Sequence, residues 1–398
     1  MGSAQVRLFL CGDVMLGRGI DQILPHPVDP ALAEPYVHDA RDYVTLAEAA
    51  NGPIPRPVDF SYPWGDALDV LAGAAPDVRI VNLETSVTTS EERAPDKGLH
   101  YRMHPAQLPA LVAARPDVCV LANNHVLDHG RGGLDETLAA LASAGLRTAG
   151  AGPDAGAAAR PAVVPLPHGG RVLVFGLGLA SSGIPRDWAA TARRSGVHYA
   201  AGQADEAVAR LVASIRAART PGDLVVVSVH WGSNWGYTVP RAELALGHAL
   251  IDAGADLVHG HSSHHPRPVE AYRGRLILHG CGDLINDYEG ISGYERYRDD
   301  LRLLFLVDVA AADGSLRSVR MTALRARRMR LEHAPPRDGQ WLHEVLGRIS
   351  RPYGVRVGLA PDGTLTAHPV GPPGPATRRS PTCTSPTAST QAGSSPPC

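Results

Sequence analysis

The sequence predicts an α/β fold: two packed mixed sheets with flanking helices, a four-layer αββα sandwich. Three observations carry this expectation. From residue 5 to about residue 265, short apolar strands alternate with helices, which signals sheets covered by helices. From 268 to 324, strands follow one another directly, joined by Gly and Asp turns. The 398 residues are 44% hydrophobic and 20% charged, which suffices for a sizeable core.

Residues 5–11 read as an apolar strand running into Gly12-Asp13-Val14-Met15-Leu16-Gly17-Arg18. This presents a carboxylate at a strand end, where α/β sheets bind ligands. Residues 25–63 are proline-rich, with one helical patch at 41–50, and read as an ordered surface excursion at the rim of a pocket. A helix over 64–74 precedes a strand at 77–82, which ends in Asn82-Leu83-Glu84. A helix over 105–114 and a strand at 117–121 lead into Ala122-Asn123-Asn124-His125-Val126-Leu127-Asp128. A carboxamide followed by an imidazole directly after a buried strand is unusual loop chemistry.

A helix over 134–144, a strand at 147–149 and a β-rich stretch from 161 to 178 come next. The helix over 204–218 places Val208, Leu211, Val212 and Ile215 on one face. The strand 224–229 delivers His230, close to Trp231 and Trp235. After a helix over 241–253, the strand 256–258 delivers His259, His261, His264 and His265. Strands at 268–272, 275–279, 301–309 and 315–324 follow, then a helix over 341–349 and short strands near Val355 and Leu365. The expected organisation is a main domain at 5–335, a small helix-and-strand extension at 336–370, and a tail at 371–398. The tail is too rich in Pro, Ser and Thr to form a core.

The formal net charge of −2 gives no electrostatic reason to expect a nucleic-acid partner. No run of eighteen apolar residues occurs, so no transmembrane segment is expected. The opening residues lack the basic and apolar regions of a signal peptide. The expected location is cytoplasmic, which leaves peripheral membrane association open. The five cysteines lack CxxC spacing, which argues against a zinc ribbon. Cys11, Cys119 and Cys281 read as core residues.

The polar residues gathered just beyond strands are Asp13, Glu84, Asn124, His125, His230, His261 and His264. Imidazole is the commonest protein metal ligand, and a mixed O/N set suits divalent Mn, Fe, Zn or Mg. Two such ions, about 3.5–4 Å apart, clamp the attacking and leaving oxygens of a phosphoryl transfer. His259 and His265 read as supports of the ligand loop or as exposed. Arg18 is a candidate for holding an anionic substrate through its planar guanidinium. Asp283 and Asn286, in Gly280-Cys-Gly-Asp-Leu-Ile-Asn-Asp287, read as turn residues.

The motifs GDVMLGR, NLETS, LANNHVLDHG, VHWGSNWGY and GHSSHHP, in this order, resemble the CapA-like branch of the calcineurin-like metallophosphoesterases. The resemblance spans roughly residues 5 to 330. It is strongest toward the poly-γ-glutamate capsule proteins and an actinobacterial group of polyglutamine synthesis accessory proteins. It implies that Asp13 and His264 ligate a first metal and that Glu84 bridges two metals. Asn124, His230 and His261 would hold the second. His125 would stand outside the ligand shell, orienting phosphate or protonating a leaving oxygen. Met15 stands where the parent Asp-x-His motif has its histidine. A thioether is a poor ligand for a hard ion, so the first position is expected to be weakened.

Four functional readings follow. The resemblance implies an accessory factor in the biosynthesis, transport or localisation of a poly-glutamate or poly-glutamine cell-surface polymer, partnered by a polymer synthase complex. A site holding metal reads as a phosphoesterase acting on a phosphorylated substrate. Without metal, Asp13 and a neighbouring histidine would form an acid–base pair able to epimerise a peptide-like substrate. The fourth reading is a non-catalytic scaffold.

Overall fold

The first apolar run of the chain forms the strand Gln5–Val14, which lies inside a ten-stranded mixed sheet. The computed structural model describes residues 5–167 and 169–370. On one side, Gln5–Val14 pairs in parallel with Val78–Leu83, followed by Val118–Val120 and Arg147–Ala149. On the other, it pairs antiparallel with Leu301–Ala310, then come Leu316–Arg327, Leu365–Pro369 and Val355–Leu359. The short strand Asp283–Ile285 joins the end of Gln5–Val14 in parallel. In the seven-stranded second sheet, Arg171–Leu179, Leu224–His230, Leu257–His261 and Arg275–Leu278 run parallel in that order.

Alternation along the strands decides the layers. Val172, Val174, Leu224 and Val226 of the second sheet share one buried cluster with Leu8, Leu10, Ile80 and Val307 of the first. The intervening Leu173, Phe175, Val225 and Val227 pack instead with Val208, Leu211 and Ile215 of helix Glu206–Ala218 and with Leu246 and Leu250 of helix Arg241–Asp252. Helices Ala67–Ala74 and Gly130–Ser143 bury Leu71, Leu134 and Leu141 with the first sheet. The order helix, sheet, sheet, helix is the one the sequence predicts. Each such fully buried aliphatic side chain contributes about 1.5–3 kcal/mol.

Two expected helices are shorter than anticipated. Gly65, at φ 44°, separates a 3-10 turn at Tyr62–Trp64 from the helix Ala67–Ala74. Between 105 and 114 a 3-10 turn, Pro105–Gln107, gives way to Leu108–Val112, where Pro105 and Pro109 each remove a backbone donor. The excursion at 25–63 carries the helix Arg41–Asn51. In 336–370, helix Pro336–Ser350 buries Leu342 and Leu346 in the main cluster, and the two strands that follow extend the first sheet. The predicted tail at 371–398 lies outside the described residues. No helix among the described residues is long and apolar enough to cross a membrane.

The parallel strands end at a common edge, and one close approach sets its geometry. A Cβ at Gly12 would lie 1.4 Å from the carbonyl oxygen of Gly282. Only glycine fits there, and the contact leaves Asp13 beside Asp283 in register.

Candidate metal centre

Asp13 lies in register with Asn82 on one side and Asp283 on the other, and His230 stands opposite His261 in the second sheet. The two edges meet. His261 Nδ1 is 4.0 Å from Asp13 Oδ1, and His230 Nε2 is 3.0 Å from Asn124 Oδ1 and 3.5 Å from Glu84 Oε1. His264, on the loop leaving the Leu257–His261 strand, places Nδ1 3.0 Å from Asp283 Oδ1. Two sets of donor atoms, Asp13–His230–His261 and Asp13–His264–Asp283, each fall within 4.8 Å and share Asp13. The fold thus brings Asp13, Glu84, Asn124, His230, His261 and His264 together. The loop holding His264 is strained: Ser262 has φ 100°, in the region that favours glycine.

The electrostatics fit a divalent cation. Asp13 Oδ1 accepts a hydrogen bond from Asn82 Nδ2 at 2.7 Å, whereas its Oδ2 is buried with no hydrogen-bond partner among the described residues. Burial, and then the Asp283 carboxylate, push Asp13 up to about 7. Burial, Asp13 and Asp283 push Glu84 well above the carboxylate range. Burial, and then the competing protonation of neighbouring histidines, holds His230 and His261 neutral. Crowded carboxylates and neutral imidazoles around an orphaned oxygen are the environment a divalent ion relieves.

A hydrogen-bond relay fixes the tautomer of His261. His259 Nε2 lies 2.7 Å from the Cys11 carbonyl, which can only accept, so this nitrogen donates. His259 Nδ1 therefore accepts from Ser228 Oγ at 3.0 Å, and that hydroxyl accepts from His261 Nε2 at 2.9 Å. His261 Nδ1 is left as a lone pair, turned toward His230 Nδ1 at 2.7 Å and toward Asp13. Orienting a ligand imidazole through its second nitrogen is a familiar device of metal sites.

Beside this group, His125 Nδ1 lies 2.6 Å from Asp128 Oδ2, and its ring stacks on Tyr101 with centroids 3.7 Å apart. The other Asp128 oxygen receives Lys97 Nζ, which also bonds the Asn124 carbonyl and stands 3.1 Å from His125 Nδ1. Burial is the main cause lowering His125 to about 3. A cavity of about 230 Å³ opens here, lined by Glu84, Lys97, Tyr101, His125, His264 and Tyr288 among others.

Residues 7–288 match the family described as bacterial capsule synthesis protein PGA_cap. The chain belongs to this family. A Mycobacterium tuberculosis protein described as a probable polyglutamine synthesis accessory protein is 53% identical over 365 residues, covering 92% of this chain and 96% of that one. The Bacillus subtilis PGA biosynthesis protein CapA is 29% identical over 55% of this chain and 54% of its own length. Among solved structures, a Mycoplasma pneumoniae phosphatase aligns at 11% identity with a TM-score of 0.43, over 84% of this chain and 96% of that one.

Within this PGA_cap family member, several sequence expectations need correction. Arg18 is not available to an anionic substrate. It is 2% exposed, its guanidinium is bonded to Asp287, Glu34 and Tyr43, and it lies 4.0 Å over the Tyr43 ring. Asp283 is not a turn residue: it opens a buried strand and approaches His264 and Asp13. Asn286 Nδ2 in turn donates to Asp283 Oδ2 at 2.6 Å, and Arg302 holds Asn286. Of the two readings of His265, loop support or exposure, the geometry agrees with the first: it is fully buried and accepts from the Gly236 amide at 3.0 Å. The Met15 sulfur accepts the Gly17 amide at 3.2 Å. Trp231 is core, donating to the His279 carbonyl, whereas Trp235 stacks on Tyr294. Sequence reasoning missed Lys97, Asp128, Ser228 and Asp283 as members of the site.

Proposed function

We propose that this chain is an accessory factor in the assembly of a poly-glutamate or poly-glutamine polymer, and that its cleft is a divalent-cation-dependent hydrolytic centre. The first half rests on family membership and the names borne by its relatives. The second rests on one observation: Asp13, with a buried unpartnered oxygen, sits where two donor groups meet. Asp13, His264 and Asp283 would hold one ion, Asp283 supplying the donor that Met15 does not. Glu84, Asn124, His230 and His261 would hold a second. Bound ions supply Lewis acidity toward a phosphoryl or carbonyl oxygen.

The remaining work falls to the chain itself. Ser228 and His259 keep the lone pair of His261 turned inward. Asp128 accepts a hydrogen bond from the Nδ1–H of His125, leaving the Nε2 lone pair to exchange a proton with the substrate. Tyr101 fixes the plane of that ring. Because burial holds His125 neutral, it starts the cycle as a proton acceptor. The imidazole approaching Asp13 stands 4.0 Å away. Beside Asp13 in the cleft, the carboxylate–imidazole pairs at hydrogen-bond length are instead His125–Asp128 and His264–Asp283, so no observation favours an epimerase centred on Asp13.

Protein purified without chelator should carry one or two divalent ions per chain. With manganese it should cleave a generic aryl phosphate, and His230→Ala should reduce the rate by at least ~100-fold. Asp283→Asn should weaken manganese binding by roughly 10–100-fold. If wild type and His230→Ala are equally inert toward phosphate mono- and diesters, the hydrolytic half of the proposal fails and the accessory role is non-catalytic.

A further inference from the structure

Lys97 is the only lysine among the 38 lysine and arginine residues of the chain. Every other basic place is taken by arginine, and the exception stands in the cleft. The two cations differ in shape: guanidinium is a flat fork, whereas ammonium is a compact charge with three diverging donors. Lys97 Nζ bonds Asp128 Oδ1 and the Asn124 carbonyl. Its third neighbour, His125 Nδ1 at 3.1 Å, carries the hydrogen it donates to Asp128 at 2.6 Å and so has no lone pair to offer. Among the described residues, two of the three ammonium hydrogens therefore have oxygen acceptors, and the ammonium also stands 5.1 Å from the centroid of the Trp188 ring, which offers a π face but no oxygen. The side chain keeps 17% exposure and lines the 230 Å³ cavity, where it is the only Lys or Arg among the described residues. Arg18, nearby, is fully engaged with Asp287, Glu34 and Tyr43.

We propose that Lys97 is the substrate-binding cation of this cleft, presenting its third N–H to an oxyanion, a carboxylate or phosphoryl oxygen, placed between His125 and Glu84. The proposal rests on the reading that substrate enters this cleft. It accounts for a lysine rather than an arginine here: an ammonium can bind Asp128 and still turn a hydrogen outward, whereas a guanidinium would lay its fork flat on the carboxylate.

A chain with one lysine permits a direct test. Full-length protein labelled with ζ-¹⁵N-lysine gives a single side-chain amine resonance. It is titrated with inorganic phosphate and, separately, with glutarate, each with and without Mg²⁺. The expected result is a saturable shift with at least one anion, and the anion that moves the signal distinguishes phosphoryl from carboxylate chemistry. Calorimetry with that anion should show at least tenfold weaker binding for Lys97→Met and an intermediate loss for Lys97→Arg. No saturable shift with either anion overturns the proposal, and because that reading uses the wild-type chain it does not depend on the variants folding. A parallel Mn²⁺ titration separates the two readings. Paramagnetic broadening of the resonance without an anion shift sinks the Lys97 role and leaves the metal centre standing. An anion shift without broadening upholds Lys97 and removes the metal.

Discussion

At His129 the imidazole is 4% exposed, and neither ring nitrogen has a hydrogen-bond partner among the described residues. Burial, and then Arg102, push it down to about 4 from the ordinary 6.5. Between those values the unfolded chain takes up a proton that the native state refuses, so acidification costs stability. Relative to His129→Leu, wild type should lose about 3 kcal/mol of unfolding free energy between pH 7 and pH 4. Urea titrations in the presence of chelator would measure this, and parallel pH curves for the two proteins would show that His129 is not the cause. At this scale the sequence discloses residue type but not company. The six candidate ligands were legible because acids, amides and histidines at strand ends are chemically conspicuous. Ser228 was not, because a serine inside an apolar strand looks like any other until His259 and His261 are seen on either side of it.

Among the elements, long periodic ones were readable and short ones were not. Asp283–Ile285 is three residues long, below what alternation can signal, so Asp283 passed for a turn residue. A clue was present: Cys-Gly-Asp occurs twice, at 11–13 and at 281–283, and in the fold the two aspartates lie side by side. Helix Arg18–Ile23 was also missed, being only six residues long. Its Arg18, at φ 45°, ties this helix to Tyr43 of Arg41–Asn51, to Glu34 of the excursion and to Asp287. Arg18→Met would leave two buried carboxylates unpaired and should cost about 3–5 kcal/mol, read as a drop in denaturant midpoint. Because the guanidinium is already occupied, anion affinity of the folded variant should be unchanged. A stable variant that no longer binds anions would instead return Arg18 to the substrate.

For the molecule as a whole, composition and element order foretold the two sheets and their helical covers. What they did not foretell is how the C-terminal segment attaches. Leu342, Leu346 and Leu365 belong to the main cluster, and Leu365–Pro369 pairs with Leu316–Arg327. A chain ended at residue 335 should therefore be insoluble or melt well below full length. A soluble, cooperatively melting 1–335 fragment would show that the extension is separable. The distribution of donors has its own consequence. Asp13, Glu84, Asn124 and Asp283 hang from one sheet, whereas His230, His261 and His264 hang from the other. Among the described residues, each candidate donor group is completed only when the two sheets are docked. Retention of metal would therefore certify that docking is complete, and the ion would act as a rivet through the sandwich as well as a reagent at its rim.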